Sequence, residues 1–139
     1  MAKIRYDATL MNYLALFERV TRARPKDCLV NKNETIVFIV HEGQLGKAIG
    51  KHAMNLKKLS SLLKKKIKIV EFSPDLGRFI KNLVAPLQLL DIKENEGVVV
   101  LKGPDVKTKG LLIGRDLQNI RETETIVKRF FNIQSLKVI

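Results

Sequence analysis

Hydrophobic and polar positions change their spacing along this chain in an order that occurs twice. Leu10, Leu14, Phe17 and Val20 recur at helical spacing, which predicts a helix with one buried stripe. Asp7 stands where a cap is needed and Pro25 where the helix must stop. The spacing then drops to that of strands. Cys28 to Val30, a turn at Asn31 to Glu34, and a β-branched run from Thr35 to Val40 predict a hairpin. Helical spacing returns over Gln44 to Ile49 and again over Asn55 to Lys64, where Leu56, Leu59, Leu62 and Leu63 are expected to face a core. Lys66 to Val70 alternates charged with apolar residues, as a half-exposed strand does.

Ser73-Pro74-Asp75 marks a boundary and the start of the next helix. Ser73 is placed to cap, Pro74 sits at the first helical position, and Asp75 suits the positive end. The order of elements then repeats. Leu76, Phe79, Ile80, Leu83 and Val84 form the apolar face of a helix that Pro86 ends. Leu87 to Ile92 and Val98 to Leu101 read as strands around a turn at Asn95-Glu96-Gly97. Pro104 to Ile113 and Leu117 to Phe130 read as helices, and Ile133 to Val138 as the closing strand. The expected fold is therefore α+β: two domains, residues 1–73 and 74–139, each α-β-β-α-α-β with a three-stranded sheet packed against helices.

The two helix pairs share more than their spacing. Leu45-Gly46-Lys47-Ala48-Ile49-Gly50-Lys51-His52-Ala53-Met54-Asn55-Leu56 is echoed by Lys109-Gly110-Leu111-Leu112-Ile113-Gly114-Arg115-Asp116-Leu117-Gln118-Asn119-Ile120, with Gly50 over Gly114 at an offset of 64 residues. A glycine that closes a short helix can take a positive φ and reverse the chain with no side chain in the way. The free N–H groups and positive dipole end of the next helix then face the same gap. Such a gap suits the phosphates of a single strand. One copy alone is better explained by ordinary helix capping. Two copies at a common offset, each followed by a basic residue, favour a role in holding a nucleic-acid backbone.

Charge supports that role. The formal net charge of the 139 residues is +12, which speaks about partners and points to a polyanion. Gly43 to Val70 holds eight lysines and no Asp or Glu, with Lys47 and Lys51 at the turn and Lys57 and Lys58 on the helix that follows. Pro104 to Arg129 holds six basic residues against four acidic ones, so the first copy should carry most of the attraction. The single cysteine, Cys28, excludes an intramolecular disulfide, fits a reducing compartment, and reads as a buried thiol on a strand. No apolar stretch has the length of a signal peptide or of a membrane span, so the cytoplasm is the expected location and no membrane partner is expected.

Catalytic chemistry is not legible. His41 ends a strand and His52 sits in the turn; Glu122 and Glu124 lie two apart on a helix and face different directions. No metal-site spacing and no phosphate-binding Gly-Lys-Ser/Thr sequence occurs. The expectation is a protein that is not an enzyme, with no cofactor, no metal and no small-molecule substrate. Aromatic residues are only 6%, and Phe38 and Phe72 read as core, so recognition should use phosphate contacts and an aliphatic groove with base-edge hydrogen bonds.

The order of elements and the motif Ile-Gly-Lys-x-x-x-Asn-Leu resemble the K-homology (KH) domain in its type II arrangement. The tandem pair, its length and the wording Gly46-Lys47-Ala48-Ile49-Gly50-Lys51 resemble the archaeal NusA-like transcription termination proteins. The resemblance covers nearly the whole chain and implies two tandem type II KH domains, binding of single-stranded RNA, and a role in transcription termination or antitermination. The transcription elongation complex is a second candidate partner. KH domains clamp about four nucleotides with a Gly-x-x-Gly loop. Here that loop is Gly50-Lys51-His52-Ala53 and Gly114-Arg115-Asp116-Leu117, with Ile49 and Ile113 lining the floor of each groove. The expected RNA-binding residues are thus Lys47, Ile49, Gly50, Lys51, His52, Ala53, Asn55, Lys57 and Lys58, with Ile113, Gly114, Arg115 and Asn119 in the second copy.

Both loops depart from the pattern, because Ala53 and Leu117 stand at the second glycine. Alanine fits if its φ is negative or the backbone shifts. Leucine is a larger obstacle, and Asp116 repels a phosphate. The second unit is expected to bind weakly, to bind differently, or to serve as a rigid neighbour. Two rival readings stand beside this one. A ribosomal or translation-linked RNA-binding protein would also use type II KH units. A DNA-binding helix-turn-helix regulator would use the helix pair from Gln44 to Lys64, but strands flank both copies.

Overall fold

A computed structural model describes residues 8–139. The chain divides into two compact units, the first ending at Ser73 and the second beginning at Pro74. In the first, helix α1 (Ala8–Thr21) precedes strands β1 (Pro25–Val30) and β2 (Ile36–Val40), helices α2 (Leu45–Ile49) and α3 (Met54–Leu63), and strand β3 (Ile67–Glu71). In the second, α4 (Leu76–Val84), β4 (Asp91–Asn95), β5 (Val98–Lys102), α5 (Val106–Ile113), α6 (Gln118–Lys128) and β6 (Ser135–Val138) follow in the same order. A single 3₁₀ turn joins each helix pair, at Lys51–Ala53 and at Arg115–Leu117.

Each unit builds one three-stranded sheet, ordered β1-β2-β3 and β4-β5-β6. The hairpin strands pair antiparallel, and the closing strand joins the central one in parallel after the helix pair has crossed over. The fold is the α+β arrangement that the spacing predicts. In the first unit Phe17 of α1 stacks on Phe38 of β2, ring centroids 4.4 Å apart. Cys28, Ile36, Val40, Ala48 of α2 and Leu59 of α3 complete that core. Leu10, Leu14 and Val20 pack against it, so the expected stripe of α1 faces inward. In the second unit Phe79 lies against Phe130 and Phe131, with Ile80, Leu83, Val99, Leu101, Leu112 and Val127 buried.

Several element boundaries differ from expectation, each for a local reason. Asp7, the expected cap of α1, lies outside the described residues. Pro25 does not stop that helix. The helix ends at Thr21, because Arg22 turns left-handed (φ 59°) and its N–H closes on the Glu18 carbonyl at 2.8 Å. Pro25 instead opens β1. Leu62 does not face the core: it is 53% exposed, although it lies only about one helical turn beyond buried Leu59. The cap of α4 is Asp75, whose carboxylate accepts the Gly77 N–H at 3.2 Å, while Ser73 is buried.

The first strand of the second unit runs over Asp91–Asn95 and not Leu87 to Ile92. Asn95 pairs with Val98 across a two-residue turn at Glu96 and Gly97, and this register carries the pairing back to Asp91 opposite Lys102. β3 does not alternate cleanly, since Lys68 is half-buried beside Ile67 and Ile69. Burial pushes the Lys68 ammonium below its ordinary value. Phe72 follows β3 as a half-buried ring with the Lys26 ammonium 4.5 Å from its centroid, not as a core residue.

Candidate nucleic-acid interface

The approach to the first turn is fixed by main-chain hydrogen bonds. After β2 the Gln44 N–H closes on the His41 carbonyl at 3.1 Å, and the Gln44 side chain accepts the Arg24 N–H at 3.3 Å. The Gly43 N–H donates to the Glu71 carboxylate at 3.0 Å. Buried Ala48 then seats α2 on the core, which leaves Gly46 and Lys47 on the exposed side. No atom lies within 4 Å of where a Cβ would stand on Gly46 or on Gly110.

α2 ends when the Gly50 N–H bonds the Gly46 carbonyl at 2.9 Å; α5 ends likewise at Gly114 and Gly110, at 2.8 Å. Gly50 has φ 80° and ψ 167°, and Gly114 has φ 74° and ψ 174°. Only glycine holds that conformation without strain. Two left-handed residues follow in each copy: His52 (φ 55°) and Ala53 (φ 57°), then Asp116 (φ 54°) and Leu117 (φ 63°). The negative φ that would have accommodated Ala53 is therefore not adopted. Both loops keep the reversal without a second glycine, at roughly 1–2 kcal/mol for each left-handed residue. No side chain caps the helix that follows, so the first turns of α3 and α6 are not closed by a protein acceptor of that kind.

Around the first turn Lys47, Lys51, His52, Lys57 and Lys58 are exposed, and Ile49, Gly50, Ala53 and Asn55 are half-buried. Among the described residues none of Lys47, Lys51, Lys57 and Lys58 forms an ion pair with a carboxylate. The first copy thus carries exposed lysines on both sides of its turn, the open main chain of Gly46 and the partly covered Ile49. The second copy brings half-buried Ile113 and Gly114 together with exposed Arg115 and Asn119. Its charge is different. Leu111 stands where the first copy has Lys47, Asp116 where it has His52, and Glu122 where it has Lys58. Leu111 and Leu117 are exposed apolar residues, at 48% and 46%.

Two features were missed in the sequence. One is the exposed apolar character of the turns, which includes Met54 at 62% in the first copy; burial of a lone Met or Leu has no periodic signal there. The other is the use made of Asn55 and Asn119. The Asn55 Nδ2 donates to the Lys47 carbonyl at 3.0 Å, and the Asn119 Nδ2 donates to the Leu111 carbonyl at 2.8 Å. Their recurrence at one motif position was the available signal. His41 is exposed and stands apart from the turn at the end of β2. Glu124 bonds the Leu136 N–H at 2.9 Å and pairs with Lys128 at 3.2 Å, a structural use. Among the described residues no group of His, Cys, Asp and Glu is placed to hold a metal ion, and no helix is long and apolar enough to cross a membrane.

Comparisons with known proteins agree with this geometry. The KH domain family model matches residues 13–102, through the first unit and as far as the end of β5. A probable transcription termination protein NusA of Methanocaldococcus jannaschii is 34% identical over 142 aligned positions, covering 100% of this chain and 77% of that protein. The protein of the same name in Methanococcus vannielii is 36% identical over 129 positions, covering 91% of this chain and 74% of its own. Among solved structures, the crystal structure of APE1850 superposes with a TM-score of 0.75 at 28% identity, covering 96% of this chain and 100% of that one.

Proposed function

The chain belongs to the KH domain family, and on that premise we propose that it binds single-stranded RNA through tandem KH domains, residues 1–73 and 74–139, and acts in transcription termination or antitermination. The observation that carries the reading is the first turn: a left-handed reversal at Gly50 beside exposed lysines with no ion pair among the described residues. A phosphate chain can approach the open main chain at Gly46, one turn before the reversal. Lys47, Lys51, Lys57 and Lys58 draw it in, and His52 and Ala53 shape the loop. Ile49 offers the apolar floor on which a base rests. Ile113, Gly114 and Arg115 make the weaker counterpart. The role in termination is supported by the names of the relatives, and the elongation complex is the setting it requires.

The test is a binding titration with short single-stranded RNA, duplex DNA and structured RNA of equal length. Single-stranded RNA should bind tightest, and a preference for duplex DNA would remove the reading. Lys51→Asp with His52→Asp should cost most of the RNA affinity while circular dichroism stays unchanged; unchanged affinity would show that this loop is not the clamp. In a transcription assay the wild-type protein should change the fraction of transcripts that end at a terminator, and the double variant should not.

A further inference from the structure

We infer that Asn55 is a positioning residue for the RNA-binding loop, a latch that sets the direction of Lys51 and His52. The observation is duplicated within the chain. In each copy an asparagine in the first turn of the second helix reaches back eight residues to a carbonyl in the first helix, Asn55 to Lys47 at 3.0 Å and Asn119 to Leu111 at 2.8 Å. That carbonyl lies in the last turn of its helix, where helical partners run out. In each copy the asparagine also lies on the bare glycine. A Cβ on Gly50 would stand 2.9 Å from the Asn55 Cγ and Nδ2, and one on Gly114 would stand 2.6 Å from the Asn119 Cγ. Glycine is therefore needed twice over, for its positive φ and for the amide that occupies the space of a side chain.

The latch spans the left-handed pair His52-Ala53, residues that have no preference of their own for that conformation. A hydrogen bond from helix to helix across the loop holds what the loop residues alone would not. Asn55 then acts on RNA through the loop, with its donor turned inward. This inference rests on the RNA-binding reading for its consequence, and on geometry alone for the latch.

The test separates the two. Asn55→Ala is made in the full chain, alone and combined with Lys51→Asp and His52→Asp. Loop amide resonances of Gly50, Lys51 and His52 are recorded together with single-stranded RNA affinity. The expected result is a folded protein whose loop amides shift while Phe17 and Phe38 do not, with affinity reduced roughly tenfold, the scale of one lost hydrogen bond. Loop charge reversal should then cost less in the Asn55→Ala background than in the wild type, as coupled sites require. Unmoved loop amides would overturn the latch whatever the RNA does. Shifted amides with losses that add fully would overturn the positioning role, since Asn55 would then touch RNA independently. Shifted amides in a protein whose wild type binds no RNA would leave the latch standing and remove the function instead.

Discussion

At the scale of single residues, the turn is strained in a way that substitution can relieve. Ala53 and Leu117 sit at φ 57° and 63°, where an L side chain crowds the following carbonyl. Ala53→Gly and Leu117→Gly remove that crowding and add backbone entropy to the unfolded chain. The difference leaves each variant more stable by about 0.5–1 kcal/mol. Urea midpoints would read this directly, and a fall in stability would mean that the side chains pack more than their exposure implies. Gly50 and Gly114 were legible from the repeat, because a glycine followed by a basic residue recurs at one offset. The left-handed φ of Ala53 and Leu117 was not. Local propensity places alanine and leucine in the right-handed region, and the helix-to-helix bond of Asn55 and Asn119 overrides it.

At the scale of elements, caps and turns decided the boundaries that periodicity left open. Asp105 caps α5, accepting the Thr108 N–H at 2.6 Å. That main-chain bond, with a further bond from the Thr108 side chain, holds the carboxyl below its ordinary value of 3.8. A depressed folded pKa stabilises the fold above the unfolded value, and the contribution is lost as pH falls through the lower folded one. The stability difference between wild type and Asp105→Ala should thus be constant from neutral pH down to about the ordinary value, and shrink below it. Denaturant titrations in acid would show the narrowing; a gap that persists in strong acid would mean the cap works without its charge. The sequence made Pro104 the start of this helix, since it offers no way to weigh Pro104 against an aspartate one residue on. The same blindness moved the strand near Leu87. Its apolar residues look like a strand, but the turn at Glu96 and Gly97 sets which residues can pair with β5. By contrast α1 and α4 were readable because each turns an apolar stripe to its core, which periodicity reports, and β2 because its unbroken apolar run is buried along its whole length.

For the whole molecule, the net charge of +12 is shared unequally, and this makes a last prediction specific. The affinity of a single strand falls with salt at a log–log slope of roughly −0.7 for each phosphate neutralised. Lysines already paired with carboxylates release no counterions when RNA arrives, so only free cations contribute. Among the described residues Lys47, Lys51, Lys57 and Lys58 form no ion pair, and the span from Gly43 to Val70 contains no acidic residue to repel a phosphate. Each Lys→Gln change that removes a phosphate contact there should make the slope shallower by about 0.7. Arg115 stands beside Asp116, and the second copy has Leu111 in place of a lysine. Arg115→Gln should therefore move the slope by less than any such lysine of the first copy, and by nothing if the second loop carries no phosphate. This asymmetry was readable in the sequence because it is a matter of which charges occur where. The structure adds that those lysines are exposed. Titrations at several salt concentrations would settle it, and an equal change from Arg115→Gln would require that the second loop neutralise phosphate as effectively as the first despite its carboxylate.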